Sequence, residues 1–424
     1  MPKLFAKFYN LFFGDRLYLA NIAATFGAQF VTALSVLILM PRLLDALGEE
    51  QFAVYGIILN AIIFGGMFDF GMSVGLLRRL IHENNQAGKL ITLVFTFYML
   101  TFIVGTPVLL LLHSVTDKFM SGLTLFQVVL MAILILQNIL ATLFDIVIQS
   151  TQKIFKAKMI RMVKILAELI SILLVLEQGN LNGVLLCMVV FNLVYVLLLR
   201  HQSMDIVGKD QPLFSLNFTL LKEHLNYSLW YFLAALSTIL VFNSQLFVLD
   251  IIAGPHVVAQ FVLFNRFFEI IRFAVSNFTV VLQPAIVDSE VNSPEKVKHL
   301  YKTAVLRVFL LLSGVFFIFN QWGYDIFMWW SKNKYPFDKS LFQLFLFYTI
   351  LILIDNVSAL FLSALKLNKT TTIISLVQGA LVVMAPVFFF SSHGLFGVIA
   401  ASCAALLLTN FIFNPVYLWR RIQH

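Results

Sequence analysis

The sequence predicts an all-α polytopic membrane protein with about twelve transmembrane helices in two six-helix bundles. Three observations predict it. The chain has 424 residues, is 60% hydrophobic and only 12% charged, about half the charged fraction of a soluble domain. Apolar runs of about 20 residues recur along its whole length, each long enough to cross the hydrocarbon layer as a helix. Those runs are continuous rather than alternating, and in lipid that selects helices over a closed barrel.

Taken in order, residues 1–17 suggest an interfacial helix rather than a cleavable signal peptide. Leu4, Phe5, Phe8, Leu11 and Phe12 share one face, flanked by Lys3 and Lys7. The predicted spans are 18–40, 53–75, 90–112, 125–147, 160–176, 183–199, 227–249, 257–283, 304–320, 341–362, 371–390 and 395–415. Residues 18–199 then form an N-terminal bundle and 227–415 a C-terminal one. A cytoplasmic linker, 200–226, joins them, and 416–424 is a cytoplasmic tail. The longest outside loop, Gln321 to Ser340, carries Trp322, Trp329 and Trp330, which suit an aromatic belt.

Orientation follows from the Lys and Arg residues in alternate loops. One side collects 22 of them, including Lys153, Lys156, Lys158, Arg161 and Lys164, and the other side 5. The basic side is cytoplasmic, so both termini are expected inside. Basic residues scattered through short loops do not form a nucleic-acid surface. Cys187 and Cys403 sit in apolar runs and suggest free thiols. An internal repeat supports the two halves. A shift of 205 residues lays Asn21 on Asn226, Leu44 on Leu249, Asp45 on Asp250 and Asn60 on Asn265. Both halves start on the same side, which implies a two-fold axis along the membrane normal and a substrate site between the halves.

Charges inside spans mark candidate sites, because each is costly in hydrocarbon. The eighth span places Asn265, Arg266, Glu269 and Arg272 on one arc, with the three charges at i+3 spacing. They form either an ion-pair ladder that locks the helix or the wall of a cavity with excess positive charge, suited to a phosphate. Asp69 and Asp145 either reach the cytoplasmic interface or act within the membrane. Glu168 and Asp355 lie deeper. Asp69, Glu168 and Asp355 are the candidates for a coupling ion. Gly65, Gly66, Gly71 and Gly75 allow close helix contact or a local break, and Arg78 with Arg79 either anchors the span or meets a lipid phosphate. The amides Asn21, Gln29, Asn226, Asn243 and Gln245 suit sugar hydroxyls or helix–helix bonding. No HExxH, Walker or CxxC pattern is present, and no catalytic residue, metal or cofactor is expected.

The opening NIAATFGAQFVTALSVLILMPRLLDALGEEQFAVYGIILN resembles the oligosaccharide flippases of the multidrug/oligosaccharidyl-lipid/polysaccharide exporter superfamily, the Wzx-type O-antigen translocases. The likeness rests on Asn21 and Gln29 in the first span, then Pro41, Arg42, Leu43, Leu44, Leu47, Gly48, Phe52 and Tyr55, then Asp69, Gly71 and Arg78. It departs from the pattern at Ala53, where a Gly is usual, and in lacking a mid-span Arg or Lys in the first span. The resemblance implies two six-helix bundles that open alternately to either side of the cell (inner) membrane. It implies a substrate of undecaprenyl-pyrophosphate-linked oligosaccharide, with membrane lipids and other polysaccharide-assembly proteins as partners. Two alternatives stay open: a cation-coupled multidrug exporter of the same fold, and a membrane polysaccharide polymerase or ligase. A polymerase or ligase would carry a large outer loop, and none is predicted here.

Overall fold

The computed structural model describes residues 16–82, 87–115, 122–151, 153–207, 214–280, 286, 294–334, 338–365 and 367–423. The predicted interfacial helix lies outside them except for its last two positions. Among the described residues every regular element is helical.

Helix α1 runs Arg16–Gly65 and breaks at Gly48, where a φ of 74° is open to glycine at little steric cost. A 3-10 turn, Gly66–Asp69, leads into α2, Met72–His82. Helices α3 (Ala87–Val115), α4 (Leu125–Ser150), α5 (Ile154–Val175) and α6 (Leu181–Val207) follow. Next come α7 (Phe218–Ala253), α8 (Pro255–Val280) and α9 (Pro294–Ile318). A π-helical turn, Phe319–Gly323, continues α9 into α10, Tyr324–Trp330. The chain ends with α11 (Lys339–Ala364), α12 (Asn368–Leu406, broken at Gly394), a second π-helical turn (Leu407–Phe411) and α13 (Ile412–Gln423).

Among the described residues eight helical stretches are long and apolar enough to cross a membrane. Two of them, Ala23–Asp69 and Lys369–Arg421, break at Gly48 and Gly394 into two arms each. Helices α5 and α8 have the length but are interrupted by charge. The described residues therefore hold the twelve predicted crossings.

Two boundaries differ from expectation. The linker 200–226 is largely helix, because α6 continues to Val207 and α7 begins at Phe218. The outer loop from Gln321 is helical through Trp330. Hydropathy drops at the first charged residues, but the backbone keeps its i→i−4 bonds past the edge of the apolar layer. Trp322 and Trp329 are exposed there, whereas Trp330 is buried.

The chain forms two compact units. The described residues within Met1–Gly48, Ala61–Asp117 and Gly122–Phe232 make the first; those within Glu49–Asn60 and Leu233–His424 make the second. The first is built around α4, which packs on α2, α3 and α6. Its core joins Met72, Leu76, Leu90, Val94, Leu143, Val147 and Leu199. The second is built around α11, which packs on α8, α9, α12 and α13, with Val308, Leu312, Leu353, Val357, Phe361 and Leu418 in its core. Beside that core, Phe264 stacks on Phe345 at 5.1 Å and on Phe327 at 4.8 Å between ring centroids. The central helices α4 and α11 are the fourth crossing of each half. The turns that end the first crossing of each half are also alike, at Gly48 and Gly254 with φ of 74° and 81°.

Candidate functional site

Helix α8 carries the predicted charge cluster in the second unit. Arg266 Nη1 donates to Glu269 Oε2 at 2.6 Å, one turn along, as the spacing predicts. The second rung of the predicted ladder does not form. Arg272 instead reaches back two turns, and its Nη2 donates to Asn265 Oδ1 at 2.8 Å. Its guanidinium lies 5.6 Å from the centre of the Phe242 ring, a cation–π contact. Glu269 is thus committed to Arg266, and Arg272 is held by a neutral amide and a ring. Among the described residues no carboxylate is ion-paired with Arg272. Among the described residues the arc holds two arginines and one glutamate, and its one ion pair is Arg266–Glu269.

A seam of buried polar groups runs elsewhere through the second unit. Asp355 accepts from Asn414 Nδ2 at 2.8 Å. Tyr301 and Ser358 share a hydroxyl bond of 2.8 Å, and Asn410 donates to Gln378 at 2.7 Å and Ser375 at 2.9 Å. Gln245 donates to Ser402 at 2.6 Å. Asn410 belongs to the π-helical turn Leu407–Phe411, whose extra residue sets the register of the helix beyond it and hence of Asn414. Reading the sequence missed Asn410, Asn414, Tyr301 and Ser358. The available signal was an Asn pair at i, i+4 inside an apolar run.

In the first unit Asp69 ends the 3-10 turn, and the break there is real. Phe70 and Gly71 both take positive φ, 48° and 70°. A Cβ on Gly71 would also sit 2.6 Å from the carbonyl oxygen of Ser228. Close contact and a local break therefore coincide in this glycine run. The Asp69 carboxylate accepts from the Ser73 backbone N–H at 3.1 Å and its hydroxyl at 2.6 Å, and from the Tyr98 hydroxyl. It caps the first turn of α2. Gly71 to Gly75 spells G-x-S-x-G. The strand-turn-helix context that pattern needs is missing. A 3-10 turn precedes Ser73, and the ring of His224 bonds the Met72 carbonyl instead of the serine.

Two ion pairs of this unit lie on or beside the spanning helix α5. Lys158 Nζ lies 3.1 Å from Asp145 Oδ2, and Lys164 Nζ 2.6 Å from Glu168 Oε2. Lys158, Arg161 and Lys164 thus stand on the spanning helix α5 rather than in a loop. Asn21 Oδ1 accepts from the Phe155 backbone N–H at 2.8 Å and so caps the start of α5. The carbonyl oxygen of Gln29 is buried without a hydrogen-bond partner among the described residues. The side chains of Arg78 and Asn226 lie outside the described residues.

No family model and no curated protein matches the chain. Solved structures do. One is described as the inward-facing conformation of a multidrug resistance MATE family transporter of the MOP superfamily. It superposes with a TM-score of 0.69 at 14% identity, over 93% of this chain and 95% of its own. The outward-facing conformation of such a transporter gives 0.63 at 15% identity, over 98% and 97%. A MATE in complex with MaL6 gives 0.63 at 13% identity, over 98% of each chain. Identities this low carry the fold alone. The protein is a multi-pass membrane protein with the MATE fold, which holds 12 helices in two bundles.

Proposed function

We propose that the protein is a flippase. It moves an anionic, lipid-linked oligosaccharide, of the undecaprenyl-pyrophosphate kind, across the cell membrane by alternating access for surface polysaccharide assembly. One observation carries this reading: Arg272 on a membrane-crossing helix, held by an amide and a ring and ion-paired with no carboxylate among the described residues. A cation in that position calls for water or an anion, and a pyrophosphate matches the planar fork of a guanidinium. The fold supports transport, since its solved relatives include inward-facing and outward-facing forms. Asn265 and Glu269 orient the two arginines. Asn21, Gln29, Asn226 and Arg78 are further candidates along the substrate path. Asp355, whose only described hydrogen bond comes from an amide, is the best placed of the coupling-ion candidates. Asp69 is used as a helix cap, and Glu168 is paired with Lys164. Both termini are taken as cytoplasmic, from the loop charges.

The second reading is a cation-coupled multidrug exporter. The solved relatives described as multidrug resistance transporters favour it. An exporter of cationic drugs calls for an acidic binding surface, and the α8 arc is net positive. The deciding experiment is complementation of a strain lacking its polysaccharide flippase, with lipid-linked intermediates measured on each leaflet. The flippase reading expects export to return and to be lost again with Arg272→Ala at normal membrane abundance. Drug resistance without any export would establish the exporter instead.

A further inference from the structure

Helix α5 is exposed on two opposite faces. Met159, Val163, Leu166, Ile170 and Leu174 are between 41% and 67% exposed. At about 100° per residue they fall within an arc of roughly 80°, the stripe that meets lipid. Lys158, Arg161, Lys164 and Glu168 occupy the other half of the helix. Lys158 and Lys164, one turn to either side of Arg161, are mostly buried, and each is neutralised by its own carboxylate. Arg161 is exposed, and no carboxylate among the described residues is ion-paired with it. An open guanidinium on the side of a crossing helix that turns away from lipid must face water. It stands seven residues beyond Ile154, about 10 Å along the helix.

We propose that Arg161 is an anion-binding residue for a phosphate group, held in position by the Lys158–Asp145 and Lys164–Glu168 pairs that bracket it. The two pairs are electrically neutral, so they fix the shape of the face without competing for the ligand. Arg161 supplies the charge and a bidentate fork. The site belongs to the first unit and is separate in sequence from Asn265–Arg272. That its phosphate comes from the transported lipid rests on the flippase reading; that it binds phosphate does not.

The test uses the full chain in nanodiscs of zwitterionic phosphatidylcholine. Inorganic pyrophosphate and farnesyl pyrophosphate are titrated in two arms, and phosphatidylglycerol is added to the disc in a third, read by thermal shift. Arg161→Gln is expected to weaken pyrophosphate binding about tenfold, as for a lost charge-assisted hydrogen bond. Arg161→Lys should recover part of it, and salt should weaken the wild type more than Arg161→Gln. Binding of both pyrophosphates identifies the phosphate itself as the recognised group. An Arg161-dependent response to phosphatidylglycerol alone supports the site and assigns it to a bilayer headgroup. Unchanged responses of Arg161→Gln in all three arms, or no response of the wild type in any, overturn the proposal. Arg272→Gln runs in parallel. Loss there with Arg161→Gln unaffected removes this site and keeps the α8 reading, and the reverse result removes the α8 reading and keeps this site.

Discussion

The two units are built alike around α4 and α11, and in the most apolar stretch of each of these two helices 61% of the residues are buried. They treat charge differently. In the first unit the spanning acids Asp145 and Glu168 each meet a lysine. In the second, Asp355 meets an amide and Arg272 meets an amide and a ring. An ion pair inside the bilayer needs both members, because either one alone carries the full desolvation penalty. A charge satisfied by a neutral partner keeps its sign and remains able to answer a ligand or an ion. The first unit therefore leaves Arg161 between two neutral ion pairs, whereas the second leaves Arg272 and Asp355 on neutral partners.

The largest effect that could break this comparison is at Asp145. Asp145→Ala should destabilise the protein by about 2–3 kcal/mol, since Lys158 loses its carboxylate. Asp145→Leu combined with Lys158→Met should return most of that. Thermal unfolding in detergent reads both, and a stable single variant would mean that the pair is ornamental. Next in size, Arg266→Gln strands Glu269 and should cost about 2 kcal/mol. Arg272→Gln loses a cation–π contact and one bond, and should cost about 1 kcal/mol. Equal costs would show that the α8 charges act as a single ladder after all.

Asp355→Asn sharpens the contrast further. The neutral variant still offers an oxygen to Asn414, so stability should change by less than about 1 kcal/mol. Ion-driven transport in proteoliposomes should fall about tenfold or more if Asp355 carries the coupling charge. Unchanged transport would return Asp355 to a packing role.

The smallest effect lies at the starts of the two central helices. Thr124 caps α4 with a neutral hydroxyl, in a reciprocal box with Gln127. Asp338 caps α11, and its bonds from the Ser340 backbone and hydroxyl hold its pKa below the ordinary aspartate value. A lowered carboxylate stabilises the folded state above its unfolded pKa of about 4 and loses that contribution as pH falls through the folded value. Hydrogen exchange should therefore show the first turn of α11 loosening in acid while the first turn of α4 does not respond. Matching pH profiles would remove the difference.

Much of this architecture was legible in the sequence because hydrocarbon imposes a coarse rule. Twelve apolar runs, the repeat around Leu44 and Leu249, and the Arg266–Glu269 pair all follow from period and spacing. What stayed hidden depends on neighbours far along the chain. Asp145 and Lys158 stand on different helices, so no helical spacing joins them, and Lys158 was counted with a loop. Asn414 reaches Asp355 across 59 residues, beyond a π-helical turn that shifts its register. Arg272 chose Asn265 over Glu269 because Arg266 had already taken that carboxylate. Competition among partners is a property of the folded unit and leaves little trace in spacing.

Helix α8 also bears on how the protein is made. A segment with two arginines and a glutamate crosses a translocon poorly by itself, since each charge near its centre costs about 2.5–3.5 kcal/mol on insertion scales. The Arg266–Glu269 bond forms within the segment and softens that cost before any other helix arrives. The Phe242 ring that covers Arg272 is on α7, the helix synthesised immediately before. The pair α7–α8 then enters the bilayer as a hairpin rather than as two separate helices. Phe264 and Phe268 of α8 wait for Phe345 on α11, so this part of the second unit locks only after about 80 further residues have left the ribosome.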